Sequence, residues 1–119
     1  MEKIFKQALM YDFYGELLTP HQRVVYEDAV YHDMSLSEIA MEHGISRQGV
    51  HDLIKRCDRI LQEYEDKLHL VSRFSQAKEK IKEILLLTQL ESVTEADIGQ
   101  IEARMLRIKE LSDGLLSEL

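Results

Sequence analysis

Apolar residues recur at steps of three and four along most of the chain, which is the spacing of amphipathic helices. The pattern predicts a first helix from Glu2 to about Tyr14 and a second helix that begins at Pro20. Pro20 takes the first helical position, where no amide hydrogen is needed, and Thr19 and Gln22 can form a capping box around it. No segment shows the strict alternation of a half-buried strand, so the sequence predicts an all-α fold.

The segment SLSEIAMEHGISRQGVHDLIKRCDR, which begins at Ser35, has the pattern of a helix-turn-helix motif. Ser35 and Glu38 have the S-x-x-E spacing of a capping box, which predicts a short first helix. Gly44 follows that helix, where the sharp turn favours a residue that tolerates positive φ. Ser46 is a second N-cap residue, and it predicts that the next helix begins at Arg47. Small or apolar residues occupy the inward positions of the motif, namely Ala40, Ile45, Val50 and Leu53.

The second helix of such a motif carries the side chains that can read DNA. When the motif binds DNA, the N-terminal half of this helix lies in the major groove, so its outward residues contact bases and phosphates. The predicted nucleic-acid-binding residues are Arg47, Gln48, His51, Asp52, Lys55, Arg56 and Arg59. A helical hairpin with a purely structural role is the alternative, because helix-turn-helix geometry also occurs without DNA binding.

The charge of the chain is distributed unevenly. A net charge of −7 over 119 residues argues against a protein that coats nucleic acid without sequence preference. Lysine and arginine outnumber aspartate between residues 44 and 62, whereas acidic residues dominate between residues 21 and 43. We therefore expect the positive potential to be confined to the predicted recognition helix.

The helix that begins at Arg47 shows no stop signal before Leu70, since this segment has no proline and its only glycine is close to the start. Its apolar residues continue in a heptad-like seam that needs cover from the next helix or from a second subunit. Further amphipathic helices are predicted from Leu70 to Leu90 and, after an N-cap at Thr94, toward the C-terminus.

These patterns predict two domains, a helix-turn-helix domain over residues 1–66 and a helical arm over residues 67–119. The apolar stripes of the arm exceed what one thin hairpin can bury, so we expect the arm to form a homodimer contact. The predicted dimerisation residues are Leu61, Tyr64, Leu68, Phe74, Ile81, Leu85, Ile101, Met105 and Ile108.

Sequence motifs for catalysis and cofactor binding are absent. The chain has no glycine-rich phosphate loop, no H-E-x-x-H motif and no cysteine pair, and His43, His51 and Cys57 match no metal-ligand spacing. We therefore expect no enzyme activity, no cofactor and no metal. The single cysteine and the lack of a long apolar run or a signal-peptide pattern predict a cytoplasmic protein that does not contact a membrane.

Four segments together resemble the YlxM family of small bacterial proteins: DFYGELLTPHQ, SLSEIA, GISRQGVHDLIKR and LQEYEDKL. The resemblance covers about Met1 to Phe74. It implies a helix-turn-helix similar to region 4 of bacterial sigma factors, without a wing, in a DNA-binding protein that regulates or assists the signal recognition particle pathway. It also implies dimerisation through the helical arm. The alternative is an accessory protein that contacts the protein or RNA of the particle instead of DNA.

A recognition helix similar to that of sigma region 4 would read promoter bases from Arg47, Gln48 and Asp52. Gly49 and His51 stand where such helices commonly have arginine, and Asp52 stands where they commonly have glutamine. Fewer cations allow fewer phosphate contacts. These departures favour the alternative in which the motif holds a protein or an RNA.

Overall fold

The computed structural model of the chain describes residues 2–89 and 98–119. Within these residues all regular structure is helical, so the predicted all-α fold is confirmed. The α-helices are α1 (Glu2–Tyr14), α2 (Pro20–Val30), α3 (Leu36–His43), α4 (Arg47–Leu68), α5 (Leu70–Leu87) and α6 (Ile98–Glu118), and a short 3-10 helix, Gly15–Leu17, follows α1. The N-cap predicted at Thr94 lies outside the described residues.

Local interactions at the start of α2 match those that the sequence predicts. Thr19 Oγ1 accepts a hydrogen bond from the Gln22 amide at 3.3 Å, and Gln22 Oε1 accepts one from the Thr19 amide at 3.0 Å. Gly15 is required just before this start, because a Cβ atom there would lie 2.7 Å from the ring of Tyr11. The chain can therefore turn tightly from α1 into α2.

The fold divides into two compact units, Met1–Val71 and Ser72–Leu119. The first unit contains α1 to α4, and the boundary predicted after residue 66 falls within α4. The main core of this unit is formed by Met10, Tyr14, Leu18, Tyr26, Cys57 and Leu61. Burial, together with the nearby carboxylate of Asp58, raises the pKa of the Cys57 thiol to about 11. Cys57 is thus a protonated, apolar core residue.

The apolar seam of α4 packs inside the first unit. Leu61 is only 1% exposed in the main core, and the ring of Tyr64 stacks on that of Tyr14 with centroids 6.1 Å apart. The prediction that Leu61 is a dimerisation residue is therefore corrected. The sequence pattern shows that the seam needs cover, and α1 and α2 provide that cover within the same chain.

The end of α4 is fixed by side chains that are distant in sequence. His69 adopts the left-handed conformation with φ of 57°, which ends the helix after Leu68. The Tyr14 hydroxyl donates a hydrogen bond to Glu65 Oε1 at 2.5 Å and accepts one from the Leu70 amide at 3.1 Å. The sequence predicts no stop here, because no glycine or proline marks it.

The second unit is built from the paired helices α5 and α6. Arg107 Nε of α6 donates to Glu83 Oε1 of α5 at 3.1 Å, and Leu111 of α6 is buried. Ile101 and Ile108 of the predicted dimerisation set are half-buried in this unit. The remaining members of the set are exposed, namely Leu68, Phe74, Ile81, Leu85 and Met105. Among the described residues, no helix has both the length and the apolar character that are needed to cross a membrane.

Candidate nucleic-acid interface

The turn between α3 and α4 has the geometry of a helix-turn-helix. Ser35 Oγ accepts a hydrogen bond from the Glu38 amide at 3.1 Å, and Glu38 Oε1 accepts one from the Ser35 amide at 3.3 Å. Gly44 lies in the left-handed region with φ of 66°, and the Ile45 amide donates to the Ala40 carbonyl at 3.1 Å. These contacts satisfy the polar backbone groups at the start and the end of α3.

Packing against α2 and α3 fixes which face of α4 is buried. Ser46 Oγ accepts from the Gly49 amide at 2.9 Å and caps the first turn. Val50, in the next turn, forms a second small core with Val25 and Ile39, and none of these three side chains is exposed. The opposite face of α4 is therefore directed to solvent.

The predicted nucleic-acid-binding residues all lie on this exposed face of α4: Arg47, Gln48, His51, Asp52, Lys55, Arg56 and Arg59. The arginines and the lysine of this set form no ion pair with any residue that the structure describes. Their charge is thus available to an anionic ligand. We call these seven residues the α4 face.

One carboxylate lies in the middle of the α4 face. Gln48 Nε2 donates a hydrogen bond to Asp52 Oδ1 at 2.9 Å, and His51 Nδ1 lies 3.6 Å from the same oxygen. The Asp52 side chain is 63% exposed. Asp52 therefore orients Gln48 and places a negative charge among the cations.

The start of α2 also contributes to the surface beside the α4 face. A shallow recess between the two helices is lined by Thr19, His21, Gln22, Ile45, Gly49, Asp52, Leu53 and Arg56. The residues of α2 are missing from the predicted site, although their capping pattern is visible in the sequence. That pattern indicates where the helix begins and gives no information about its neighbour in space.

A buried carboxylate lies behind the helix-turn-helix. His43 Nε2 donates to Asp28 Oδ2 at 3.0 Å, and His32 Nδ1 donates to Asp28 Oδ1 at 2.9 Å. Hydrogen bonds from His43 and then His32 lower the pKa of the Asp28 carboxyl group, against the opposing effect of burial. Sequence reasoning missed this cluster, because Asp28 and His43 meet only through the packing of α2 on α3.

Comparison with known proteins agrees with this geometry. Residues 1–102 match the model of the family UPF0122, which is described as "Putative helix-turn-helix protein, YlxM / p13 like". A UPF0122 protein of Acetivibrio thermocellus is 40% identical over 107 residues, which are 90% of each chain. A UPF0122 protein of Geobacillus sp. (strain WCH70) is 38% identical over 113 residues, which are 95% of this chain and 97% of the relative. The chain therefore belongs to the UPF0122 family of helix-turn-helix proteins that are similar to YlxM.

Proposed function

We propose that this protein binds duplex DNA through α4 and has no catalytic activity of its own. The observation that supports this proposal is the α4 face, on which cations without ion pairs among the described residues surround Gln48, His51 and Asp52. Both helices of the motif are capped, and the small core behind α4 is fully buried. The recognition helix is thus preorganised for binding.

The position of each side chain along α4 suggests its role. The major groove of B-DNA admits an α-helix, and helix-turn-helix proteins contact bases from the N-terminal residues of the recognition helix. Arg47, Gln48 and His51 occupy that part of α4, where arginine can pair with guanine and glutamine with adenine. Further along the helix, Lys55 and Arg59 face phosphates, as does Arg56 beside the start of α2.

The overall charge favours selective binding over general binding. A net charge of −7 opposes association with any polyanion, so the contacts of the α4 face must supply most of the affinity. Affinity that depends on a few base contacts is sensitive to sequence, because each mismatched pair costs about 1–3 kcal/mol.

The test is selection of bound duplexes from a random library at low and at moderate salt. We expect an enriched motif, and we expect Arg47→Ala to weaken binding to it by about 1–3 kcal/mol and to relax the preference at one position. Arg59→Ala should weaken binding evenly across sequences and reduce the salt slope by about one unit. Lys67→Ala is the matched control, because Lys67 is an exposed cation in the last turn of the same helix.

Two results together would refute DNA reading by α4. One is a library that shows no enrichment at either salt concentration. The other is an Arg47→Ala variant that binds like the parent and like Lys67→Ala.

A homodimer joined through the second unit is part of this proposal. Exposed apolar side chains remain on α5 and α6 after these helices have packed, among them Ile81, Leu85 and Met105. A second copy of the chain would cover them and would present two recognition helices to paired half-sites. Such a dimer can act as a regulator, and the resemblance to YlxM suggests genes of the signal recognition particle pathway as its targets.

A second candidate function is supported by Asp52. A carboxylate in the centre of a recognition surface repels DNA phosphates, but it can pair with a basic protein segment. The protein would then be an accessory factor of the signal recognition particle, and Asp52 favours contact with the protein of the particle over contact with its RNA. Pull-down with the purified particle separates the two candidates. Recovery of the particle by the parent, but not by an Asp52→Lys variant, favours the accessory factor. If the parent recovers no particle, the accessory factor is rejected.

A further inference from the structure

Three potential metal ligands meet where α2 packs on the end of α3. Each of Asp28, Glu42 and His43 offers one ligand atom, and these atoms all lie within 4.8 Å of one another. Asp28 Oδ2 and His43 Nε2 are 3.0 Å apart. Asp28 belongs to α2, and the other two residues are the last two of α3.

The environment of Asp28 is unusual for a buried acid. Asp28 is 8% exposed, and it is the only charged side chain that is buried among the described residues. A buried carboxylate is normally neutralised by lysine or arginine or by a metal ion, because an isolated charge is costly to remove from water. Here its two oxygens face the imidazoles of His32 and His43 instead.

The ligand types and their separation suit a divalent transition metal. Zn²⁺ takes imidazole nitrogen and carboxylate oxygen at about 2.0–2.2 Å, so tetrahedral ligand atoms lie about 3.3 Å apart. The observed separation of 3.0 Å between Asp28 Oδ2 and His43 Nε2 is close to this value. His32, which donates to the other oxygen of Asp28, has the position of an outer-shell partner that orients a ligating carboxylate.

We propose that Asp28, Glu42 and His43 form a binding site for Zn²⁺, with water as the remaining ligand. On binding, the proton of His43 moves from Nε2 to Nδ1, so that Nε2 can coordinate the ion and the hydrogen bond to Asp28 is replaced by metal bonds. Glu42 is exposed, which leaves the site open to solvent and makes the ion exchangeable.

Zinc at this site would act on the helix-turn-helix. His43 is the last residue of α3, directly before the Gly44 turn, so the ion would fasten the end of α3 to α2. Anything that binds only the folded state stabilises it in proportion to the logarithm of its concentration. We therefore expect zinc to raise the unfolding temperature, whether or not the protein binds DNA.

The test is calorimetric titration of ZnCl₂ into the chelator-treated, untagged full chain, together with thermal unfolding with and without zinc. We expect one ion per chain and a higher unfolding temperature with zinc. Glu42→Gln should weaken zinc binding at least tenfold, since loss of even an outer-shell partner weakens metal sites by about 10–100-fold. Glu42 is exposed and forms no ion pair among the described residues, so this variant should fold normally without zinc.

Two further variants complete the design. His43→Gln removes the imidazole ligand while its amide can still donate to Asp28, and it should also lose zinc binding. His51→Gln is the matched control, because His51 is an exposed histidine beside a carboxylate outside the site, and its zinc affinity should equal that of the parent. The proposal is overturned by a parent that shows neither binding heat nor a temperature shift, by a Glu42→Gln variant that binds like the parent, or by loss of binding in His51→Gln.

Discussion

Tyrosine hydroxyl groups that donate to carboxylates join the helices of the first unit. Tyr26 pairs with Asp58 at 2.5 Å, Tyr14 pairs with Glu65, and Tyr11 and Tyr31 pair with Glu27 and Asp12. Except for the exposed pair of Tyr31 and Asp12, packing has partly removed these groups from water, and no buried side-chain nitrogen or oxygen among the described residues lacks a partner. These polar pairs fix the register of α1 and α2 on α4, which apolar packing alone leaves less specific.

Tyr26→Phe is expected to destabilise the protein by about 1.5–3 kcal/mol, the usual range for a hydrogen bond to a charged group. The hydroxyl is buried, and its removal leaves Asp58 with Gln7 as its remaining described partner. Tyr31→Phe is the matched control, because the Tyr31 side chain is exposed and water can replace its bond to Asp12. Urea unfolding measures both changes, and equal losses for the two variants would contradict this account.

Cys57 gives a prediction about alkaline pH. Its thiol is fully buried, and burial raises its pKa to about 11, whereas a thiol in the unfolded chain ionises near pH 8.5. Between about pH 8.5 and about pH 11 the folded state therefore binds more protons than the unfolded state. The contribution of Cys57 to stability is thus fully present below about pH 8.5 and is lost as the pH rises toward the pKa of the folded state.

The free energy of unfolding, measured from pH 7 to pH 10, should thus fall more steeply for the parent than for Cys57→Ala. The native thiol should also react with a disulfide reagent only as fast as the protein unfolds. Rapid labelling of the native protein at pH 7 would show that the thiol is accessible, and it would contradict the prediction.

At the scale of helices, the sequence predicted the features that depend on local signals. It did not predict the features that depend on contacts between residues distant in the sequence. The starts of α2, α3 and α4 follow from Thr19, Ser35 and Ser46, because each cap is made within four residues. The end of α4 depends on the conformation of His69 and on Tyr14, which is far away in sequence. No local pattern contains that information.

The same distinction applies to the candidate site. The exposed side of α4 could be predicted, since the helical period fixes which residues face away from Val50. The recess beside Thr19 and the cluster around Asp28 could not, because each requires the angle at which α2 crosses its neighbours.

The Gly44 turn gives a prediction at this scale. A Cβ atom at Gly44 would meet no atom within 4 Å, so the whole cost of Gly44→Ala is conformational and should be about 1–2 kcal/mol at φ of 66°. Gly44→Asn should cost less, because asparagine tolerates the left-handed region. Gly99→Ala is the control, since Gly99 also has open space but lies in α6, where alanine should be neutral or stabilising. An unchanged unfolding temperature for Gly44→Ala would contradict the turn geometry.

Under the proposed function, recognition of DNA and assembly of the dimer belong to different units of the chain. The first unit holds the α4 face, and the second unit holds most of the exposed apolar side chains of α5 and α6. The proposed dimer contact could then be altered without a change in α4. Under the proposed function, affinity for a paired site depends on both units, whereas affinity for a single half-site depends on the first unit alone.

Leu85→Glu tests this division, because Leu85 is 58% exposed on α5 and a charge there would oppose contact with a second copy. We expect sedimentation at about 10 µM to show a dimer for the parent and a monomer for the variant. A dimer with an interface of standard size is stable at this concentration. Binding to a duplex with one half-site should stay the same, while binding to two half-sites spaced by about 34 Å should weaken by about 100-fold or more. Gln76→Glu, an exposed polar position in the same helix, is the matched control. A parent that sediments as a monomer would reject the dimer, and equal loss at single and paired half-sites would show that the two units do not act separately.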